Sequence, residues 1–253
     1  MANTAKNSLA PDWLTAVPIA HRALHDGNVE VAENSVTAFQ RSITGGYAIE
    51  CDLQISKTGE PVVFHDDDLD RLTVEEGFVR DKTPAELAQL DLSGTDDTIQ
   101  TLATHLKQVA GKVPLILELK GVEGFDAGLV EGVAEALKSY EGAAAVMSFD
   151  HWLCAQFAEK LPGIPRGLTA YGDESRADIN RGAMRDFDLT FISYHVRDLP
   201  TAFVRENKEA GVPIITWTVR NEEQARLSYT HADQITFELF NPDAVAAASK
   251  AQR

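Results

Sequence analysis

Nine short apolar runs constrain this fold more than any other feature. They fall at residues 17–20, 47–53, 62–65, 114–119, 144–149, 164–169, 189–194, 213–219 and 234–237. Several are continuously apolar rather than alternating, the pattern of parallel strands covered by helices on the outside. The stretches between most of them are amphipathic and carry helix-start signals: Asn34, Asp150, Pro200 in a first-turn position, and Asn241-Pro242. Repetition of strand and helix over 253 residues is the length and rhythm of a (β/α)8 TIM barrel, which needs eight strands and not nine. Loop length identifies the surplus one. Only eight residues, 54–61, separate Leu53 from Val62, and they include the turn pair Thr58-Gly59. A parallel crossover takes roughly a dozen residues or more, so 62–65 is expected to fold back as a hairpin partner of 47–53. The chain is therefore expected to be one α/β domain over residues 1–253, with a small cap insertion at about 66–112 after the second barrel strand. Within the cap, Thr83-Pro84-Ala85-Glu86 is a capping box that opens a short helix, and a second helix is expected over 102–109.

Charge appears where four of the runs end. His21-Arg22 closes the first, Glu50-Cys51-Asp52 sits in the second, His65-Asp66 closes the hairpin run, and Glu118-Leu119-Lys120 closes the next. In a barrel, the C-terminal ends of the strands carry the chemistry. Residues at i and i+2 of a strand share a face, so Glu50 and Asp52 converge and repel each other unless a cation or a proton lies between them. Glu118 adds a third carboxylate, giving an oxygen-rich group suited to a hard divalent cation such as Mg²⁺ or Ca²⁺, with Mn²⁺ as a further option. His21 and His65 titrate near neutrality and can act as acid and base across the same mouth. Taken singly, each pair reads as a solvated face or a structural hydrogen-bonding pair; four at successive strand ends do not. Of the acidic run Asp66-Asp67-Asp68, only Asp66 is expected to have a role, orienting a neighbour.

A net charge of −16 argues against nucleic acid or an anionic membrane as a partner, and implies that an anionic substrate meets local positive charge from a metal, Arg22 or Lys120. The two cysteines, Cys51 and Cys154, lie in no metal-ligand spacing and suit a reducing compartment. Residues 1–6 carry no signal-type apolar run and no segment approaches a membrane span, so a cytoplasmic protein with no stable membrane association is expected. Nothing in the sequence specifies an oligomeric state.

Together these residues resemble the glycerophosphodiester phosphodiesterase family. Its pattern runs H-R-G, P-E-N-T with A-F, E-x-D-V, T-x-D-G, V-x-x-H-D, E-x-K, W-T-V-N and a late I-T-D. This chain has His21-Arg22-Ala23, Ala32-Glu33-Asn34-Ser35 with Ala38-Phe39, Glu50-Cys51-Asp52-Leu53 and Thr58-Gly59-Glu60. It continues with Val63-Phe64-His65-Asp66, Leu69-Asp70-Arg71-Leu72-Thr73, Glu118-Leu119-Lys120 and Trp217-Thr218-Val219-Arg220. Departures are Ala23 for Gly, Ala32 for Pro, Arg220 for Asn, and Phe237 for the late Asp, with Glu238 following. They bear on substrate detail more than on the reaction.

The resemblance implies a barrel that hydrolyses small-molecule glycerophosphodiesters to glycerol 3-phosphate and an alcohol with a divalent cation. By that implication Glu50, Asp52 and Glu118 hold the metal, and His21 and His65 are the acid–base pair. Arg22 and Lys120 face the phosphate, Glu33 binds or orients substrate, and Trp217 walls the glycerol pocket. Tyr194-His195 ends a strand near the mouth and is expected to be satisfied locally, while His25, His105, His151 and His231 read as surface or helix residues. Competing readings are a phospholipase D acting on lysolipids, a metal-dependent sugar-phosphate isomerase or lyase barrel, and a catalytically inert binding barrel. The first should show an apolar or basic rim, for which the sequence offers no Trp/Phe-rich loop.

Overall fold

All nine apolar runs form strands in the computed structural model, which describes residues 10–250. In chain order they are β1 (Ile19–Ala20), β2 (Ala48–Ile55), β3 (Pro61–Val63), β4 (Leu115–Leu119), β5 (Ala144–Ser148), β6 (Arg166–Ala170), β7 (Phe191–His195), β8 (Ile214–Val219) and β9 (Gln234–Phe237). Eight of them pair in parallel around a ring, β1-β2-β4-β5-β6-β7-β8-β9, and β9 returns to β1 through Ile19 opposite Thr236. β3 stays outside the ring, antiparallel to β2 with Leu53 opposite Val63. The short loop has settled the topology as its length required.

Helices follow the strands: α1 (Val36–Gly45), α2 (Pro84–Leu87), α3 (Leu102–Val109), α4 (Leu129–Leu137), α5 (His151–Lys160), α6 (Ala177–Asp186), α7 (Ala202–Glu209), α8 (Glu222–His231) and α9 (Asp243–Lys250). Two start signals are corrected. Ser35, not Asn34, caps α1, its hydroxyl accepting from Ala38 N at 3.1 Å. Thr201 caps α7, so Pro200 lies one residue before the cap. In both cases a hydroxyl with extended backbone outcompeted the neighbouring signal.

Alternation divides the strand residues. Cys51, Leu53, Leu115, Leu117 and Leu119 are buried in the layer between barrel and helices. Ile19, Ala48, Ile116, Met147, Phe191 and Ile215 fill the barrel interior with Leu14 beneath them. Gly167 leaves the room that Phe191 occupies, since a Cβ there would come within 2.4 Å of its ring. With the odd-numbered leucines of β4 facing the helices, Ile116, Glu118 and then Lys120 share the inner side. The β2–β4 register sets Asp52 directly beside Glu118.

The segment expected as a cap divides in two. Val62, Phe64, Leu69, Leu72, Val79, Leu87, Leu92 and Ile99 make a small separate core. The residues of α3, by contrast, join the main layer of the barrel helices. The capping box at Thr83 and Glu86 forms as read. His105, expected at the surface or on a helix, lies on the buried face of α3 against Phe39, ring centroids 4.0 Å apart, and burial pushes its imidazole down to about 4. Residues 1–6, expected to carry no signal-type run, lie outside the described residues. Among the described residues, no helix is long and apolar enough to cross a membrane.

Candidate active site

The barrel mouth gathers the charged pairs from four elements. His21 follows β1, its N–H bonded to Phe237 O at 2.9 Å. The chain then turns through left-handed conformations at Arg22 (φ 51°) and Ala23 (φ 61°), where glycine would be unstrained. That turn aims the Arg22 N–H at Glu50 Oε2, 2.8 Å away. Its guanidinium reaches Glu33 Oε1 at 2.6 Å and lies 3.5 Å from Asp52 Oδ2. Glu50, Asp52 and Glu118 are all buried, with ligand oxygens within 4.8 Å of one another. Asn34, free of any capping duty, donates its amide to Asp52 Oδ2 at 2.9 Å. The Lys120 ammonium bonds Glu118 and stands 3.4 Å from Asp52 Oδ1.

The two histidines are held alike. His65 Nδ1 is 2.5 Å from Asp66 Oδ1, and Arg71 Nε donates to the other oxygen of Asp66 at 2.5 Å. His21 Nδ1 is 2.5 Å from Glu238 Oε2, and Arg220 Nε donates to Glu238 Oε1 at 2.6 Å. Both face a cavity of about 170 Å³ that is also lined by the three carboxylates, Arg22, Lys120, Phe149, His195, Trp217 and Arg220. Trp217 packs edge-on to Phe149 and 4.8 Å from the His195 ring.

Electrostatics differ sharply within the carboxylate cluster. Burial and the neighbouring charges of Asp52 and Glu118 push Glu50 well above the ordinary carboxylate range. Glu118 is also raised, by burial first and against the pull of Lys120. Asp52 goes the other way: burial alone would raise it, but Lys120, His65 and Arg22 outweigh that and hold it low. The repulsion expected between Glu50 and Asp52 therefore falls on Glu50. Burial is the largest influence on both His21 and His65 and lowers each, favouring the neutral ring.

This division predicts opposite responses in the metal-free protein. Glu50→Gln removes a carboxylate whose ionisation is disfavoured and is expected to raise Tm by about 2–4 °C. Asp52→Asn deprives Lys120 and Arg22 of a compensating charge and is expected to lower Tm by several degrees, at a cost of about 1–3 kcal/mol. Thermal unfolding in excess chelator measures both; shifts of the same sign would contradict the division.

Of the candidate site residues, all but Glu33 line the cavity. Glu33 bridges Arg22 and Arg71 from behind, and these two guanidiniums hold its carboxyl at about 2 in spite of its burial. His195 does line the cavity, while Tyr194 points away into the helix layer. Asn34, Arg71, Arg220 and Glu238 were missed. Arg71 stands inside the Leu69–Thr73 motif, and Asn34 occupies a position where a helix cap is expected. Glu238 sits one residue beyond the position where the pattern has its carboxylate. His25, expected at the surface or on a helix, is neither: it is buried in a loop with Nε2 3.7 Å from Glu238 Oε2.

The chain belongs to the glycerophosphoryl diester phosphodiesterase family, whose model matches residues 21–231. The YhdW protein of Bacillus subtilis (strain 168) is 32% identical over 219 residues, spanning 82% of this chain and 87% of the relative. A glycerophosphodiester phosphodiesterase of Caldanaerobacter subterraneus subsp. tengcongensis is 29% identical over 228 residues, 86% of this chain and 91% of its own. Among solved structures, an Oleispira antarctica phosphodiesterase in complex with the product sn-glycerol-3-phosphate superposes with a TM-score of 0.81. It is 25% identical, with 92% of this chain and 97% of that one covered. Membership of this family sets aside the isomerase or lyase reading.

Proposed function

We propose that the protein hydrolyses glycerophosphodiesters to glycerol 3-phosphate and an alcohol, with His21 and His65 as the acid–base pair and a divalent cation held by Glu50, Asp52 and Glu118. The observation that carries this reading is the paired arrangement of the histidines. Each has Nδ1 tied to a carboxylate and opens on one cavity shared with three buried acids. Nε2 of each ring is then the nitrogen available for proton transfer. The acid cluster fits a cation: Glu50 Oε1 is buried with no hydrogen-bond partner, and its carboxyl is destabilised in the charged form. Oxygen donors of this kind suit Mg²⁺, Ca²⁺ or Mn²⁺, and a cation bound there would polarise a phosphoryl oxygen and offset charge building on it.

The chain's own residues supply the remainder. Arg22 and Lys120 give the phosphate positive charge, and Glu33 holds Arg22 in place. One histidine takes the proton of the attacking hydroxyl, either water or the adjacent glycerol 2-hydroxyl, at its bare Nε2; the other enters the cycle as the imidazolium and gives its Nε2 proton to the departing alcohol. Trp217, Phe149 and His195 form the apolar wall on which a glycerol carbon face can rest. The separate small core of residues 62–99 supports a cap beside His65 and Asp66. Two free, buried thiols, Cys51 and Cys154, support a reducing, cytoplasmic setting.

One observation favours a second substrate class. Exposed apolar side chains gather on loops that follow barrel strands or belong to the cap: Val29, Val74, Phe78, Val122, Phe125 and Leu239. The apolar rim that a lysolipid-directed enzyme would present is thus partly there, although the sequence offered no aromatic-rich loop. A panel of soluble glycerophosphodiesters and a lysophospholipid, read by release of glycerol 3-phosphate against release of free alcohol and lysophosphatidate, separates the two. Soluble diesters are expected to turn over faster. Faster turnover of the lysophospholipid would transfer the assignment to it, and turnover of neither would overturn the hydrolase reading. Within the panel, a 2-deoxyglycerol analogue is expected to react at least about 10²-fold more slowly, because the neighbouring hydroxyl is a preorganised nucleophile. Comparable rates would assign the attack to water.

A further inference from the structure

Two departures from the family's pattern are connected through Glu238. Arg220 stands where the pattern has Asn, and Phe237 stands where it has the late Asp. Phe237 faces outward at the end of β9, buried in the helix layer against Tyr47 at 5.0 Å. Its neighbour Thr236 lines the cavity, so by strand alternation the next inward position is 238. Glu238 occupies it, and both of its oxygens are engaged: Oε2 by His21 Nδ1 at 2.5 Å, Oε1 by Arg220 Nε at 2.6 Å. A third donor approaches. His25 Nδ1 accepts from Gly27 N at 3.0 Å, which puts the proton of the neutral ring on Nε2, 3.7 Å from Glu238 Oε2.

Burial would raise the Glu238 carboxyl, but the bond from His21, the approach of His25 and the charge of Arg220 hold it well below the usual range. An ionised carboxylate only accepts hydrogen bonds, so His21 Nδ1 has to carry a proton, leaving Nε2 of the neutral ring bare. The grouping repeats that of His65–Asp66–Arg71, where again one carboxylate joins a histidine Nδ1 to an arginine Nε.

We propose that Glu238, backed by Arg220, is the positioning residue of His21, fixing the tautomer whose Nε2 exchanges a proton at the phosphodiester. Arg220 and Glu238 act as a pair, each departure accounting for the other. This rests on His21 belonging to the acid–base pair proposed above.

The test uses the full chain loaded with Mg²⁺ and sn-glycero-3-phosphocholine as probe substrate. Glu238→Gln keeps the shape but removes the charge, and is expected to lower kcat by about 10²–10⁴-fold, the range seen when a catalytic histidine is left in the wrong tautomer. KM is expected to stay within about threefold, because no substrate contact is lost. ¹⁵N NMR of His21, identified by its loss in His21→Gln, is expected to show the Nδ1–H tautomer in the wild type and a mixture in Glu238→Gln. Arg220→Asn, which restores the pattern's residue without its Asp, is expected to lose about 10-fold in kcat. An unchanged kcat in Glu238→Gln, or an Nε2–H tautomer in the wild type, would overturn the proposal. Should Glu238→Gln not fold, the wild-type tautomer and Arg220→Asn decide the matter. A wild type that releases no glycerol 3-phosphate would overturn the functional reading instead, and the tautomer would still decide the role of Glu238.

Discussion

His21→Ala and His65→Ala are each expected to lower kcat by about 10²–10⁴-fold or more while metal binding is largely kept. The size of the effect follows from the way the two rings are set. Burial lowers both imidazoles below their ordinary value, which keeps proton gain and loss at each ring within reach near neutral pH. Each is fixed through Nδ1 by a carboxylate that is itself bonded to an arginine. Alanine removes the proton carrier and leaves that carboxylate facing the cavity without its partner. Neither histidine belongs to the Glu50–Asp52–Glu118 group, so calorimetric titration with Mg²⁺ or Mn²⁺ should give near wild-type affinity. A variant that loses the metal instead would recast that histidine as a ligand. His151→Ala serves as the control: His151 opens α5, packs on Phe187 at 5.7 Å and has no contact with the mouth, so its kcat should be unchanged.

The barrel was legible because its determinants are local. Apolar runs, helix-length spacers and one loop too short for a crossover fix the strand count and the odd position of β3 without reference to any tertiary contact. The acid cluster was legible for a similar reason, since a spacing of two on a strand guarantees a shared face. What escaped were residues whose role depends on the turn of the backbone or on partners far away in the chain. Asn34 carries a cap-forming side chain, but a left-handed φ of 59° turns it onto Asp52, and Ser35 takes the cap. Glu238 meets His21 across 217 positions, and only ring closure between β1 and β9 brings them together. The division of the 66–112 segment was hidden too. The faces of α3 and of the loops before it are both apolar, and which core each joins is decided by three-dimensional packing.

Removal of the metal is expected to have the other large effect. Three buried carboxylates within 4.8 Å, one of them with an unpartnered oxygen, leave more negative charge than Lys120 and Arg22 offset. Without a cation the cluster is expected to take up a proton, on Glu50 before Asp52, given the opposite directions in which their surroundings push them. A protonated Glu50 no longer offers a charged ligand, and the phosphoryl group loses its main source of electrostatic stabilisation. The most direct measurement is glycerol 3-phosphate release from a glycerophosphodiester by enzyme stripped of metal, verified by elemental analysis, and then restored with Mg²⁺, Mn²⁺ or Ca²⁺. Activity should vanish on stripping and return with at least one of the three ions; full turnover by the verified metal-free enzyme would contradict the account.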